Sequence, residues 1–93
     1  MLFRSPRERA WALGKLAQAL AYAGQWEDAR QTAEVIADPF WRAVALGELV
    51  QALAAAGQWA DARQTADAIA DPEKRAVALG ELAQALEIGR AHV

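Results

Sequence analysis

The chain has 93 residues, 55% hydrophobic and 24% charged, with a formal net charge of −2 and no cysteine. This composition excludes a disordered chain, and the missing thiols exclude disulfides, a thiolate nucleophile and Cys-based metal sites. The only serine is Ser5 and the only histidine His92, so a Ser-His-Asp or Cys-His arrangement has almost nothing to be built from.

The pI of about 5.3 argues against a general nucleic-acid binder, which would carry a basic face. Arg, Glu, Gln or Lys interrupts every apolar stretch short of the ~18–20 residues of a membrane span. No signal-peptide pattern is visible, and a cytoplasmic location is expected. Alanine supplies 25 residues and asparagine none. With Leu, Gln, Glu and Arg also abundant, the expectation is an all-α fold.

In chain order, Pro6 opens a helix expected over 6–23, with Leu13, Leu16 and Leu20 on one face. Gly24 is placed to end it in the left-handed conformation. Trp26 begins a shorter helix over 26–37, with Asp28 in the first turn facing the helix dipole. Asp38 is a good N-cap, and Pro39 sits at the first helical position, where a missing N–H costs nothing. The third helix then spans 39–56, carries Leu46, Leu49 and Leu53, and stops at Gly57. Trp59 opens a fourth helix over 59–70, with Asp61 in its first turn and a narrow face of Ala62, Ala66 and Ile69. Asp71 and Pro72 repeat the cap for a fifth helix over 72–86, with Leu79, Leu82 and Leu86.

These signals recur with a period of 33. Trp26 returns as Trp59, Gly24 as Gly57, and Asp38-Pro39 as Asp71-Pro72. Residues 9–41 match 42–74 at 24 of 33 positions, and 75–86 match 42–53 at 11 of 12. The chain therefore reads as two and a half helix-turn-helix units forming a single domain. One unit alone cannot bury its leucines. Stacking buries them, giving an α-solenoid of five helices in a right-handed stack with no strand. A glycine recurs inside each first helix, as Gly14, Gly47 and Gly80. Because Gly costs ~1 kcal/mol against Ala there, a close helix–helix contact at Gly47 is expected.

The motif residues resemble the tetratricopeptide repeat. A Leu-Gly pair stands at Leu13-Gly14, Leu46-Gly47 and Leu79-Gly80. The turn signature Gly-x-aromatic-x-acid-Ala stands at Gly24–Ala29 and Gly57–Ala62, and the closing proline at Pro39 and Pro72. The unit departs from the family in being 33 residues rather than about 34, with a longer first helix and a shorter second. Ankyrin repeats share the 33-residue period, but their Thr-Pro-Leu-His signature is absent. Residues 1–5 and 87–93 break the repeat and read like in-frame translations of sequencing adapters. The expectation is a metagenomic fragment of a longer array, with 6–86 as the natural part.

The resemblance implies a non-catalytic scaffold that binds a protein or peptide in a groove lined by the first helices. Aligned on the Leu-Gly pair, the groove residues are Trp11, Lys15, Gln18 and Tyr22, then Trp41, Val44, Glu48 and Gln51, then Glu81 and Gln84. The same stripes include Glu8, Ala55, Lys74 and Val77. Differences between the copies fall here (Trp11/Val44, Lys15/Glu48, Tyr22/Ala55, Trp41/Lys74), as they would in a recognition surface. The competing reading is drift on a solvated face, and with it a purely structural or self-associating segment.

Trp26 and Trp59 are expected to pack at the turns. Phe40 with Trp41 either braces the preceding unit or forms a contact patch. Asp38 and Asp71 are accounted for as caps, and Arg30/Glu34 and Arg63/Asp67 as i,i+4 pairs. No catalytic residue, cofactor or metal is expected. The stripe Leu79, Leu82 and Leu86 lacks a covering second helix, and the helix with Leu13, Leu16 and Leu20 has no preceding unit to shield its outer side, so self-association through the terminal helices into a homodimer or larger assembly, two-fold or head to tail, is expected.

Overall fold

Each first helix begins on a cap that takes up its orphan N–H groups. Phe40 and Trp41 N–H donate to Asp38 Oδ1 at 2.8 and 3.3 Å, and Glu73 and Lys74 N–H donate to Asp71 Oδ1 at 2.9 and 3.3 Å. Ser5 has the same role in the first unit, accepting from Glu8 N–H at 3.3 Å. A hydroxyl here replaces the aspartate, and Ser-Pro-Arg-Glu spells a capping box. A computed structural model of the chain describes residues 5–91, with side chains through 88. Within them α1 spans Pro6–Tyr22, α2 Trp26–Glu34, α3 Pro39–Ala55, α4 Trp59–Asp67 and α5 Pro72–Ala91. No strand occurs among the described residues.

Gly24 and Gly57 take φ of 80° and 78°. Behind each, the chain closes two bonds back onto the helix. In the first unit Gly24 N–H donates to Ala21 O and Gln25 N–H to Leu20 O. In the second, Gly57 N–H donates to Ala54 O and Gln58 N–H to Leu53 O. This is the paired 5→2 and 6→1 closure that a left-handed residue permits. The residue 33 after Gly57 is Arg90, so no glycine turns the chain there. The fifth helix accordingly runs past the expected residue 86 to Ala91. His92 lies outside the described residues.

The second helices end three residues earlier than expected, at Glu34 and Asp67. The reason is a side chain from the next unit. Arg42 Nη1 donates to Ile36 O at 3.1 Å, and Arg75 Nη1 to Ile69 O at 3.3 Å. Ile36 and Ile69 are thereby held outside the helix yet inside the core, each 1% exposed.

The five helices pack as near neighbours. Helix α1 lies on α2 and α3, α3 also on α2, α4 and α5, and α5 on α4. The first helices thus form one layer, α1–α3–α5, with α2 and α4 packed against it. The core is small and alanine-rich, with Ala29, Ala33, Ala62 and Ala66 fully buried around Leu46, Leu49, Leu53, Ile36 and Ile69. Trp26 and Trp59 pack against it, half-buried. Thr65, the buried polar side chain, donates its hydroxyl to Asp61 O at 2.8 Å.

The glycine expectation is overturned. A methyl group at Gly14, Gly47 or Gly80 would meet nothing within 4 Å. These glycines face open space rather than a close helix contact. The Arg63/Asp67 pair is likewise not formed. Arg30 pairs with Glu34 as expected and also with Glu27, where the second unit has Ala60.

Candidate groove along the first helices

The layer α1–α3–α5 presents one continuous face with three adjoining hollows. The first, about 190 Å³, lies between α1 and α3 near their starts and is lined by Trp11, Gly14, Lys15, Trp41, Val44 and Glu48. The second, about 160 Å³, lies further along the same helices and is lined by Gln18, Tyr22, Glu48, Gln51, Ala52 and Ala55. The third, about 480 Å³, lies between α3 and α5. It is lined by Val50, Gln51, Ala54, Ala55, Trp59, Glu81, Leu82, Gln84, Ala85 and Ile88. All ten expected groove residues therefore line this face, and Glu48 and Gln51 each border two hollows.

The second and third hollows are the same place in successive units. Adding 33 to Ala17, Gln18, Ala21, Tyr22, Glu48, Leu49, Gln51, Ala52 and Ala55 gives lining residues of the third hollow in every case. They differ at three lining positions, Ala17 against Val50, Tyr22 against Ala55 and Ala55 against Ile88, and the larger hollow also takes in Trp59. The floor of the third hollow is aliphatic, from Val50, Ala54, Leu82 and Ala85. Its rim is polar, and Gln51 Nε2 donates to Glu81 Oε2 across the α3–α5 junction.

At the other end of the face, Lys15 Nζ lies 5.8 Å from the centre of the Trp11 ring. Phe40 meets Trp41 edge to face at 5.2 Å, and Lys74 Nζ sits 5.1 Å above Phe40. Trp41 both packs on the core and lines a hollow, while Phe40 is exposed. The pair therefore divides its labour between brace and surface.

Two expectations need correction. Leu82 is not part of an open association stripe. It is buried under α3, as Leu49 is under α1, while Leu79 and Leu86 are half-buried. Sequence reasoning also missed Trp59, Val50, Ala54, Ala85 and Ile88 as lining residues. Trp59 was assigned to packing alone, and Ile88 to the end that breaks the repeat. The Tyr22/Ala55 difference was visible in the sequence, but its effect on volume depends on where α5 sits.

A further cleft of about 560 Å³ opens between the α1–α2 turn and α4, lined by Gln25, Trp26, Glu27, Asp28, Arg30, Asp61 and Gln64 among others. Of its charged side chains, Arg30 pairs with Glu27. The hydrogen bond from Arg30 holds the Glu27 carboxyl below the usual carboxylate range, and Glu27 in turn raises Arg30. Among the described residues no group of three or more His, Cys, Asp or Glu is placed to hold a metal. No described helix is long and apolar enough to cross a membrane. No family model, curated protein or solved structure matches the chain.

Proposed function

We propose that the chain is a non-catalytic helical-repeat scaffold of the tetratricopeptide type. It binds an extended peptide or partner segment along α1, α3 and α5. The observation that carries this reading is the 480 Å³ hollow left where Ala55 replaces Tyr22. An aliphatic floor beneath a rim of Gln51, Glu81 and Gln84 suits one bulky apolar anchor, with polar groups fixing the backbone around it. Glu48 and Glu81 along the same face favour a Lys or Arg beside the anchor. Trp11, Trp41 and Tyr22 offer rigid contact area toward the other end.

A non-catalytic role is supported by what the recurring carboxylates do. Asp38 and Asp71 accept backbone N–H groups at helix starts.

The test is a peptide panel titrated against the full chain, followed by the intrinsic fluorescence of Trp59 and its fellows. Peptides with a central Leu, Ile, Phe or Met should be selected. Ala55→Tyr, which copies the sister position, should weaken the best of them at least tenfold, about 1.4 kcal/mol. A panel with no selective binder, or a binder indifferent to Ala55→Tyr, would overturn the reading.

A further inference from the structure

The three first helices share a register but not an environment, and the differences map two faces. Leu16, Leu49 and Leu82 are equivalent by the 33-residue period. Leu49 is 3% and Leu82 6% exposed, whereas Leu16 is 50% exposed. What buries the later two is the first helix of the preceding unit. Leu49 shares a hollow with Ala17 and Ala21 of α1, and Leu82 shares one with Val50 and Ala54 of α3.

The opposite side of the series shows the converse. Ala10 and Ala17 are buried, as are their equivalents Ala43 and Val50, but Ala76 and Ala83 on α5 are exposed. The outer face of α1 is thus the kind of surface that the outer side of α3 already covers on α5. The exposed side of α5 carries the small residues that α1 and α3 use to cover their successors.

We propose that a second copy of this chain docks head to tail on α5, setting the outer face of its α1, with Leu16 at the centre, against Ala76 and Ala83. The contact continues the α1–α3 and α3–α5 interfaces by one more step. Charge agrees with it. Lys15 and Glu48 border one hollow at the α1–α3 junction, and the same register sets Glu81 of one copy against Lys15 of the next. Because the arrangement is head-to-tail rather than two-fold, each copy leaves a free face at either end and growth stays open. The surface is not the hollow of the groove, and its readout is mass rather than peptide affinity, so the two proposals fail separately.

The experiment is mass by light scattering over a micromolar concentration series. The parent chain should exceed 10.0 kDa and grow with concentration. Leu16→Glu and Ala83→Glu each change an exposed residue on one of the two faces. Alone, each should associate at least tenfold more weakly. Mixed in equal amounts they should restore a species of twice the chain mass and no larger, because each supplies the face that the other lacks. Circular dichroism checks the helix content, and Leu16→Gln stands in if the glutamate variant loses it. A parent chain that stays monomeric across the series overturns the proposal. So do variants that associate like the parent, and a mixture that remains monomeric.

Discussion

The α1–α3 and α3–α5 junctions are built from nearly the same residues, and their matching hollows differ threefold in volume. At the first junction Tyr22, itself largely exposed, borders a hollow of about 160 Å³. At the second, Ala55 borders one of about 480 Å³. The cap, the left-handed glycine, the leucine stripe and the arginine contact are common to both. Three side-chain exchanges, Ala17/Val50, Tyr22/Ala55 and Ala55/Ile88, on an otherwise constant frame therefore accompany a threefold difference in the hollow. A repeat separates the residues that hold its helices together from those that shape its surface, and the second set is free to differ.

The largest difference between the junctions should appear on truncating their buried leucines. Leu49→Ala should cost ~2–5 kcal/mol, because the side chain is buried beside the smaller hollow and its loss leaves a new void. Leu82→Ala should cost less, ~1.5–3 kcal/mol, since the side chain already borders an open hollow and its loss only enlarges that space. Urea denaturation of the two variants measures both. Equal costs would mean that the open hollow is not open in solution.

A smaller effect of opposite sign is expected at the helix between the junctions. Gly47→Ala should stabilise the chain by ~0.5–1 kcal/mol, since the helix gains propensity and the added methyl meets nothing. A loss of stability at Gly47→Ala would restore the close contact that the spacing alone suggested.

The smallest effect separates the second helices. Arg30 pairs with Glu27 and Glu34, whereas Arg63 has Ala60 at the matching position and forms no ion pair. The folded-state pKa of Glu27 is lowered. Its contribution is therefore present above the ordinary carboxylate pKa and is lost as pH falls through the folded value. The difference in thermal midpoint between the parent and Glu27→Gln should be small at pH 7, as befits an exposed pair. It should shrink as the pH falls below the ordinary carboxylate range. A difference that grows on acidification would contradict the pairing.

Much of the fold was legible because its signals are local. Asp38-Pro39, Asp71-Pro72, Gly24 and Gly57 act within a few residues of themselves, and the structure uses each as its chemistry suggests. The ends of α2 and α4 were not legible. Val35-Ile36-Ala37 has no helix breaker, and what stops the helix is a guanidinium six residues ahead on another element. Gly47 was misread for a related reason, since a recurring glycine looks the same beside a neighbour as beside a void. For the candidate groove, the first helices and their variable positions could be read from the repeat. The hollow could not, because its walls come from α3, α4 and α5 together.

The bonds from Arg42 to Ile36 O and from Arg75 to Ile69 O have a mechanical consequence. Each converts the short link between units into a pinned elbow, at 3.1 and 3.3 Å. Two elbows of the same construction hold both links by the same contact. Under a pull along the layer of first helices, such a stretch behaves as a spring of uniform stiffness rather than as rods on loose hinges. It yields by many small bends until an arginine lets go.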